Sequence, residues 1–87
     1  METAKAKVVI KTPNGLITKK ACLIVMQAQR FVSDIRISTN NSNYECAKNL
    51  FCLQKLDLTV GNELIIVAKG DDARNAINCI ISLIDTF

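Results

Sequence analysis

Few side chains in this sequence can act as nucleophiles, bases or metal ligands. Histidine is absent from all 87 residues, which removes the imidazole base, the imidazole metal ligand and phosphohistidine at once. The sequence holds four cysteines, Cys22, Cys46, Cys52 and Cys79, and no CxxC pair. A zinc site would therefore need all four thiolates from scattered positions. A cysteine nucleophile without histidine needs a lysine or a helix N-terminus to lower its pKa, and Cys22 falls inside a helical stretch rather than at its start. Each cysteine lies in an apolar run, so the expectation is free thiols packed as small core hydrophobes in a reducing cytosol. Glycine occurs only at 15, 61 and 70, too sparsely for a phosphate-cradling loop. The adjacent carboxylates Asp71 and Asp72 are explained by capping a helix and complementing its dipole. No catalytic residue, metal or cofactor is expected, and the chain does not read as an enzyme.

Anion and protein recognition remain. Lys19 and Lys20 fall in the first turn of a helix that Thr18 is placed to cap. The macrodipole there is positive, so two lysines cost tenths of a kcal/mol each. Beside free backbone N–H groups they make a receptor for an anion or carboxylate; the alternative is that both are simply solvated. Leu50 and Phe51 are adjacent large apolar residues in a short helix and cannot both face its core. One or both exposed would mark a protein-binding patch, whereas a distorted helix would bury the pair.

The elements that position these groups follow from periodicity. Lys5–Lys11 is short and rich in β-branched residues, and Thr12-Pro13-Asn14-Gly15 ends it in a turn. Ala21, Ile24, Val25 and Ala28 recur at i, i+3, i+4 and i+7, predicting an amphipathic helix from Thr18 to about Arg30. Asp34–Ser38 alternates as a half-buried strand, the Asn40–Asn43 cluster turns the chain, and Tyr44-Glu45-Cys46 begins the return strand of a hairpin. Leu50, Leu53 and Leu56 suit a short helix, and Leu58–Gly61 leads out of it. Glu63–Ala68 is a fourth, aliphatic strand, and Ala73, Ala76, Ile77, Ile80 and Ile84 form the buried stripe of a last helix. The order β-α-β-β-α-β-α predicts an α+β fold: an open-faced sandwich, with a four-stranded antiparallel sheet covered on one face by three helices.

Composition bounds the rest. The length fits one domain, residues 1–87. With only Phe31, Tyr44, Phe51 and Phe87 as aromatics, the core must be aliphatic and small. The longest apolar stretch, Ala21–Ala28, is far below the ~20 residues of a membrane span. No basic region leads into an apolar one at the start, so no secretory signal is expected, and Asn40-Asn41-Ser42 then reads as a turn rather than a glycosylation site. Residues 1–30 hold six Lys/Arg against Glu2 alone, while residues 31–87 hold five against seven acidic residues. That asymmetry fits an acidic partner for the first third of the chain. The net charge of +3 is too small for a nucleic-acid footprint. A βαββαβ RNA-recognition domain would also need an aromatic-rich strand motif, and Tyr44 is the only aromatic on the hairpin.

The strand followed by Pro13-Asn14-Gly15-Leu16 and a helix, then Ala47-Lys48-Asn49-Leu50-Phe51 and Leu53-Gln54, resembles the phosphocarrier protein HPr of the bacterial sugar phosphotransferase system. The resemblance covers about residues 6 to 85, including the Leu58-Thr59 exit and the Gly70-Asp71-Asp72 segment. It implies the HPr-like open-faced β-sandwich. It also implies a family in which Enzyme I phosphorylates a histidine at the first helix's N-terminus, and the phosphoryl group passes on to sugar-specific proteins.

The family's Gly-Leu-His-Thr-Arg-Pro-Ala is Gly15-Leu16-Ile17-Thr18-Lys19-Lys20-Ala21 in this chain. Ile17 stands at the phosphohistidine position, Lys19 replaces the phosphate-clamping arginine, Lys20 replaces proline, and Asn49 stands at the regulatory serine position. Isoleucine has no nucleophilic atom, asparagine has no hydroxyl, and lysine lacks arginine's bidentate fork. The resemblance implies a partner-binding surface of Ile17, Thr18, Lys19, Lys20, Cys22 and Met26 on one side, with Leu50, Phe51 and Gln54 on the other. The expected function is a cytoplasmic regulatory binding module for Enzyme I, sugar-specific transporter domains or a transcription regulator, with no nucleic acid and no membrane insertion. The alternatives are a phosphocarrier with another acceptor, Thr18 or Cys22, and an inactive or engineered scaffold.

Overall fold

The computed structural model describes residues 2–40 and 43–87. Asn41 and Ser42, at the expected hairpin turn and glycosylation triplet, lie outside them. Among the described residues seven elements appear in the expected order: β1 (Glu2–Val9), α1 (Thr18–Ala28), β2 (Asp34–Thr39), β3 (Glu45–Cys46), α2 (Leu50–Leu53), β4 (Glu63–Gly70) and α3 (Ala73–Asp85). The strands form one antiparallel sheet in the order β1-β4-β2-β3. Central β4 pairs with β1 from Glu2↔Gly70 to Val9↔Glu63 and with β2 from Asp34↔Lys69 to Thr39↔Leu64.

Side chains alternate across a strand, so Leu64, Ile66 and Ala68 of β4 join Ile35 and Ile37 of β2 beneath the helices, all buried. From above, α1 presents Ala21, Ile24, Val25 and Ala28, and α3 presents Ala73, Ala76, Ile77, Ile80 and Ile84. Both stripes are the ones expected from the 3.6-residue period. No aromatic belongs to the buried core among the described residues, as the composition requires. On the opposite sheet face Lys5, Lys7, Arg36 and Lys69 are exposed, whereas Ile65 and Ser38 are buried.

Several boundaries and caps differ from expectation. β1 starts at Glu2 rather than Lys5, because Glu2–Ala4 find partners in Ala68–Gly70 at the far end of the chain. It ends at Val9, although the Ile10 N–H still donates to the Asn62 carbonyl at 2.9 Å. α1 stops at Ala28, after which Arg30 and Phe31 bond three residues back to Gln27 and Ala28 at 3.2 Å. Ile17, not Thr18, occupies the N-cap of α1, and no side chain caps it.

At α3, Asp72 holds the N-cap position but makes no side-chain cap. Its carboxylate turns instead to the loop before β2, accepting from the Val32 and Ser33 N–H groups at 3.0 Å and from the Ser33 hydroxyl. The capping acceptor comes from the other end of the chain: the Arg74 N–H donates to Glu2 Oε1 at 2.9 Å. The cysteines also depart from expectation. All four are free, but Cys22, Cys52 and Cys79 are only half-buried and Cys46 is exposed. They flank the buried stripes rather than lying within them.

Candidate functional site

The loop before α1 is shaped by two residues in the left-handed region, Asn14 at φ 67° and Gly15 at φ 71°. The Gly15 N–H donates to the Thr12 carbonyl and the Leu16 N–H to the Leu58 carbonyl, both at 2.9 Å. A Cβ on Gly15 would lie 2.3 Å from the Leu58 carbonyl oxygen, so only glycine permits this approach. With Leu16 buried against the core, the next side chain, Ile17, points outward and is 51% exposed. An apolar side chain thus occupies the helix N-cap, where oxygen-bearing residues are preferred.

Thr18 and Lys19 are exposed in the first turn. Lys20 is not a free partner of Lys19: its Nζ lies 5.6 Å from the Phe87 ring centroid, in cation–π geometry. Instead of the expected pair of lysines, Lys19 stands exposed beside the helix N-terminus while the Lys20 ammonium is turned to Phe87. Lys19, Cys22 and Met26 fall at i, i+3 and i+7, which places them along one side of α1. Met26 is 58% exposed and Leu23, between them, is also exposed.

α2 packs beside α1. Gln29 Nε2 donates to the Lys48 carbonyl at 3.1 Å, and Lys48 Nζ donates to the Phe31 carbonyl at 2.6 Å, tying the end of α1 to the approach to α2. Asn49 is the N-cap of α2, its Oδ1 accepting from the Phe51 N–H at 2.9 Å and the Cys52 N–H at 3.3 Å. The adjacent apolar pair divides: Leu50 packs against the core, whereas Phe51 is 78% exposed. Gln54, at the C-cap of α2, is exposed.

Sequence reasoning missed Leu23 and Val60. Leu23 follows the buried Ala21 stripe by two residues, and its helical position was the available signal. Val60 is exposed in the loop against which Gly15 packs; only tertiary structure brings it there. That loop is braced by Asp57, which accepts from the Thr59 N–H at 3.2 Å and from the Thr59 hydroxyl. The Thr59 hydroxyl bond holds the Asp57 carboxyl below its ordinary pKa, and the Ser33 hydroxyl does the same for Asp72. Among the described residues, no group of histidine, cysteine, aspartate and glutamate side chains could hold a metal ion. No helix among them is long and apolar enough to cross a membrane.

Residues 4–86 match the family model described as the PTS HPr component phosphorylation site. The chain belongs to the HPr family. It is 41% identical over 73 residues to the phosphocarrier protein HPr of Haemophilus influenzae, covering 84% of this chain and 85% of that one. It is 31% identical over 71 residues to the HPr-like protein Crh of Bacillus subtilis, covering 82% of each chain. The crystal structure of HPr-C-His from Thermoanaerobacter tengcongensis superposes with a TM-score of 0.89 at 30% identity, covering 95% of this chain and 92% of that one. The four-stranded sheet with three helices is thus the HPr fold.

Proposed function

We propose that this HPr-family chain is a cytoplasmic, non-enzymatic binding module that engages proteins of the sugar phosphotransferase system without carrying phosphate at the usual histidine or serine. The observation that carries this reading is Ile17: in a chain with no histidine, an exposed apolar side chain stands at the N-cap of α1. That position in HPr carries the phosphoacceptor, and isoleucine offers no atom to receive a phosphoryl group. The docking surface is Ile17, Thr18, Lys19, Cys22 and Met26 on the α1 side, with Leu50, Phe51 and Gln54 on the α2 side. Lys20 contributes there through its stem, because its ammonium rests over Phe87.

Exposed Phe51, Met26 and Ile17 supply apolar anchors, and Lys19 supplies a charge that speeds association with an acidic partner. Asn49 supports the loss of serine regulation: its side chain serves as a cap acceptor and has no hydroxyl to phosphorylate. The likeness to Crh, the Bacillus subtilis catabolite repression HPr, fits a regulatory role. Enzyme I, a sugar-specific transporter domain and a transcription regulator are the candidate partners.

The test is binding of the N-terminal domain of Enzyme I by Lys19→Glu and Phe51→Ala variants. Both should weaken binding, and the wild-type affinity should fall with salt. If both variants bind as the parent does, the surface is misassigned. A phosphorylated Thr18 or Cys22 after incubation with phosphoenolpyruvate and Enzyme I would establish a phosphocarrier with another acceptor.

A further inference from the structure

β1 is an outer strand of the sheet, and it is long for an edge, at eight residues. Just beyond it, Ile10 bonds inward: its N–H donates to the Asn62 carbonyl at 2.9 Å and its carbonyl accepts from the Gly61 N–H at 2.7 Å. Antiparallel pairing alternates residue by residue. Ala4, Ala6 and Val8 therefore share backbone bonds with β4, while Thr3, Lys5, Lys7 and Val9 turn their N–H and C=O groups outward. The side chains of these four are also exposed, on the open face of the sheet. Beside the same strand, toward the last turns of α3, runs a groove of about 440 Å³. Val8, Ile81, Ile84 and Phe87 are among its apolar lining and Lys11 and Asp85 among its charged residues, with Lys7 and Val9 along its rim.

We propose that the free edge of β1 accepts an extended segment of a partner protein, alternating acidic and apolar residues, as a fifth strand. The backbone of the segment would bond to the outward groups of Lys5, Lys7 and Val9. Its acidic side chains would face the Lys5 and Lys7 ammonium groups on the open face. Its alternate, apolar side chains would enter the groove against Val8, Ile81, Ile84 and Phe87, an arrangement that strand addition imposes through the two-residue period.

The lysines choose the occupant. Antiparallel pairing of β1 with a second copy of itself, in any register centred between Lys5 and Lys7, sets lysine opposite lysine, which is unfavourable. The same lysines favour an acidic strand, so the edge excludes its own kind and admits the complement. The β1 edge is distinct from the surface at Ile17 and Phe51, although the groove's Phe87 carries the Lys20 ammonium, and neither reading depends on the other.

The experiment is an NMR titration of isotope-labelled protein with a capped octapeptide of alternating Glu and Val. A control peptide holds the same residues as a Glu block followed by a Val block. The alternating peptide should shift the Lys5, Lys7 and Val9 amides and slow their hydrogen exchange by about tenfold or more at saturation. Lys7→Glu should weaken binding about tenfold by charge reversal. Val9→Pro removes an outward N–H that the folded chain does not use, which an edge strand tolerates, and should abolish binding with the fold intact. No shifts at about 1 mM peptide, the weak end of specific recognition, would overturn the proposal. So would an equal response to the block peptide, shifts centred on Ile17 and Phe51, or self-association through β1.

Discussion

Replacing Gly15 with alanine tests how the loop places Ile17. At φ 71° an L-residue pays about 1–2 kcal/mol for the left-handed conformation. The new Cβ would also lie 2.3 Å from the Leu58 carbonyl oxygen. That oxygen is backbone and is held by the Leu16 N–H at 2.9 Å, so relief requires separating the two segments and losing a hydrogen bond worth about 1 kcal/mol. Together the loss is about 2–3 kcal/mol, which for a domain of this size lowers Tm by roughly 10–20 °C. Gly61→Ala is the matched control: its φ is 95° but its Cβ would meet nothing within 4 Å, leaving only the backbone term of about 1–2 kcal/mol. Urea and thermal unfolding of both variants give the comparison. The excess loss in Gly15→Ala measures the close approach of the loop to Leu58. If the two variants lose equal stability, or Gly15→Ala loses less than about 0.5 kcal/mol, the packing argument fails.

Other outcomes follow from single contacts. Asn49→Ala removes the acceptor for the Phe51 and Cys52 N–H groups and should cost about 1 kcal/mol by urea unfolding, with Asn49→Ser retaining most of the cap. Ile80→Ala, at a fully buried site between α3 and the sheet, should cost about 2–5 kcal/mol; a smaller loss would mean that the core collapses around the cavity. Hydrogen bonding lowers the Asp57 and Asp72 carboxyl pKa values in the folded state. The stability these groups contribute is therefore present above the ordinary carboxylate value and is lost as pH falls through the folded one. The urea midpoint should drop as the solution is acidified below about pH 4, and less steeply in Asp72→Asn. Equal slopes would remove Asp72 from the account.

The parts legible from sequence were those governed by local periodicity. The stripes of α1 and α3 were read residue by residue because 3.6-residue spacing fixes which side chains share a helix face. The elements failed at their ends, where the partner is remote. Glu2 begins β1 because Gly70 pairs with it, and it caps α3 through the Arg74 N–H, neither visible from its neighbours. Asp72 has the sequence signature of a cap, yet its carboxylate serves Val32 and Ser33, across about 40 residues of chain. At the candidate site, the conflict of two adjacent large apolar residues marked Leu50 and Phe51 without deciding between them, and the fold exposes Phe51. The withdrawal of Lys20 onto Phe87 had no such mark, because only the fold brings the last residue beside the first helix. The cysteines misled for a related reason: an apolar run names a segment that packs, not which of its residues face inward.

The central claim is that this HPr-family surface binds without accepting phosphate. The most direct measurement is an NMR titration of labelled protein with the N-terminal domain of Enzyme I, followed by phosphoenolpyruvate with intact Enzyme I and intact-mass analysis. Shifts clustered at residues 17–26 and 49–55 with an unchanged mass are the expected result. A mass increase of one phosphoryl group, or the absence of shifts at both segments, would contradict the claim.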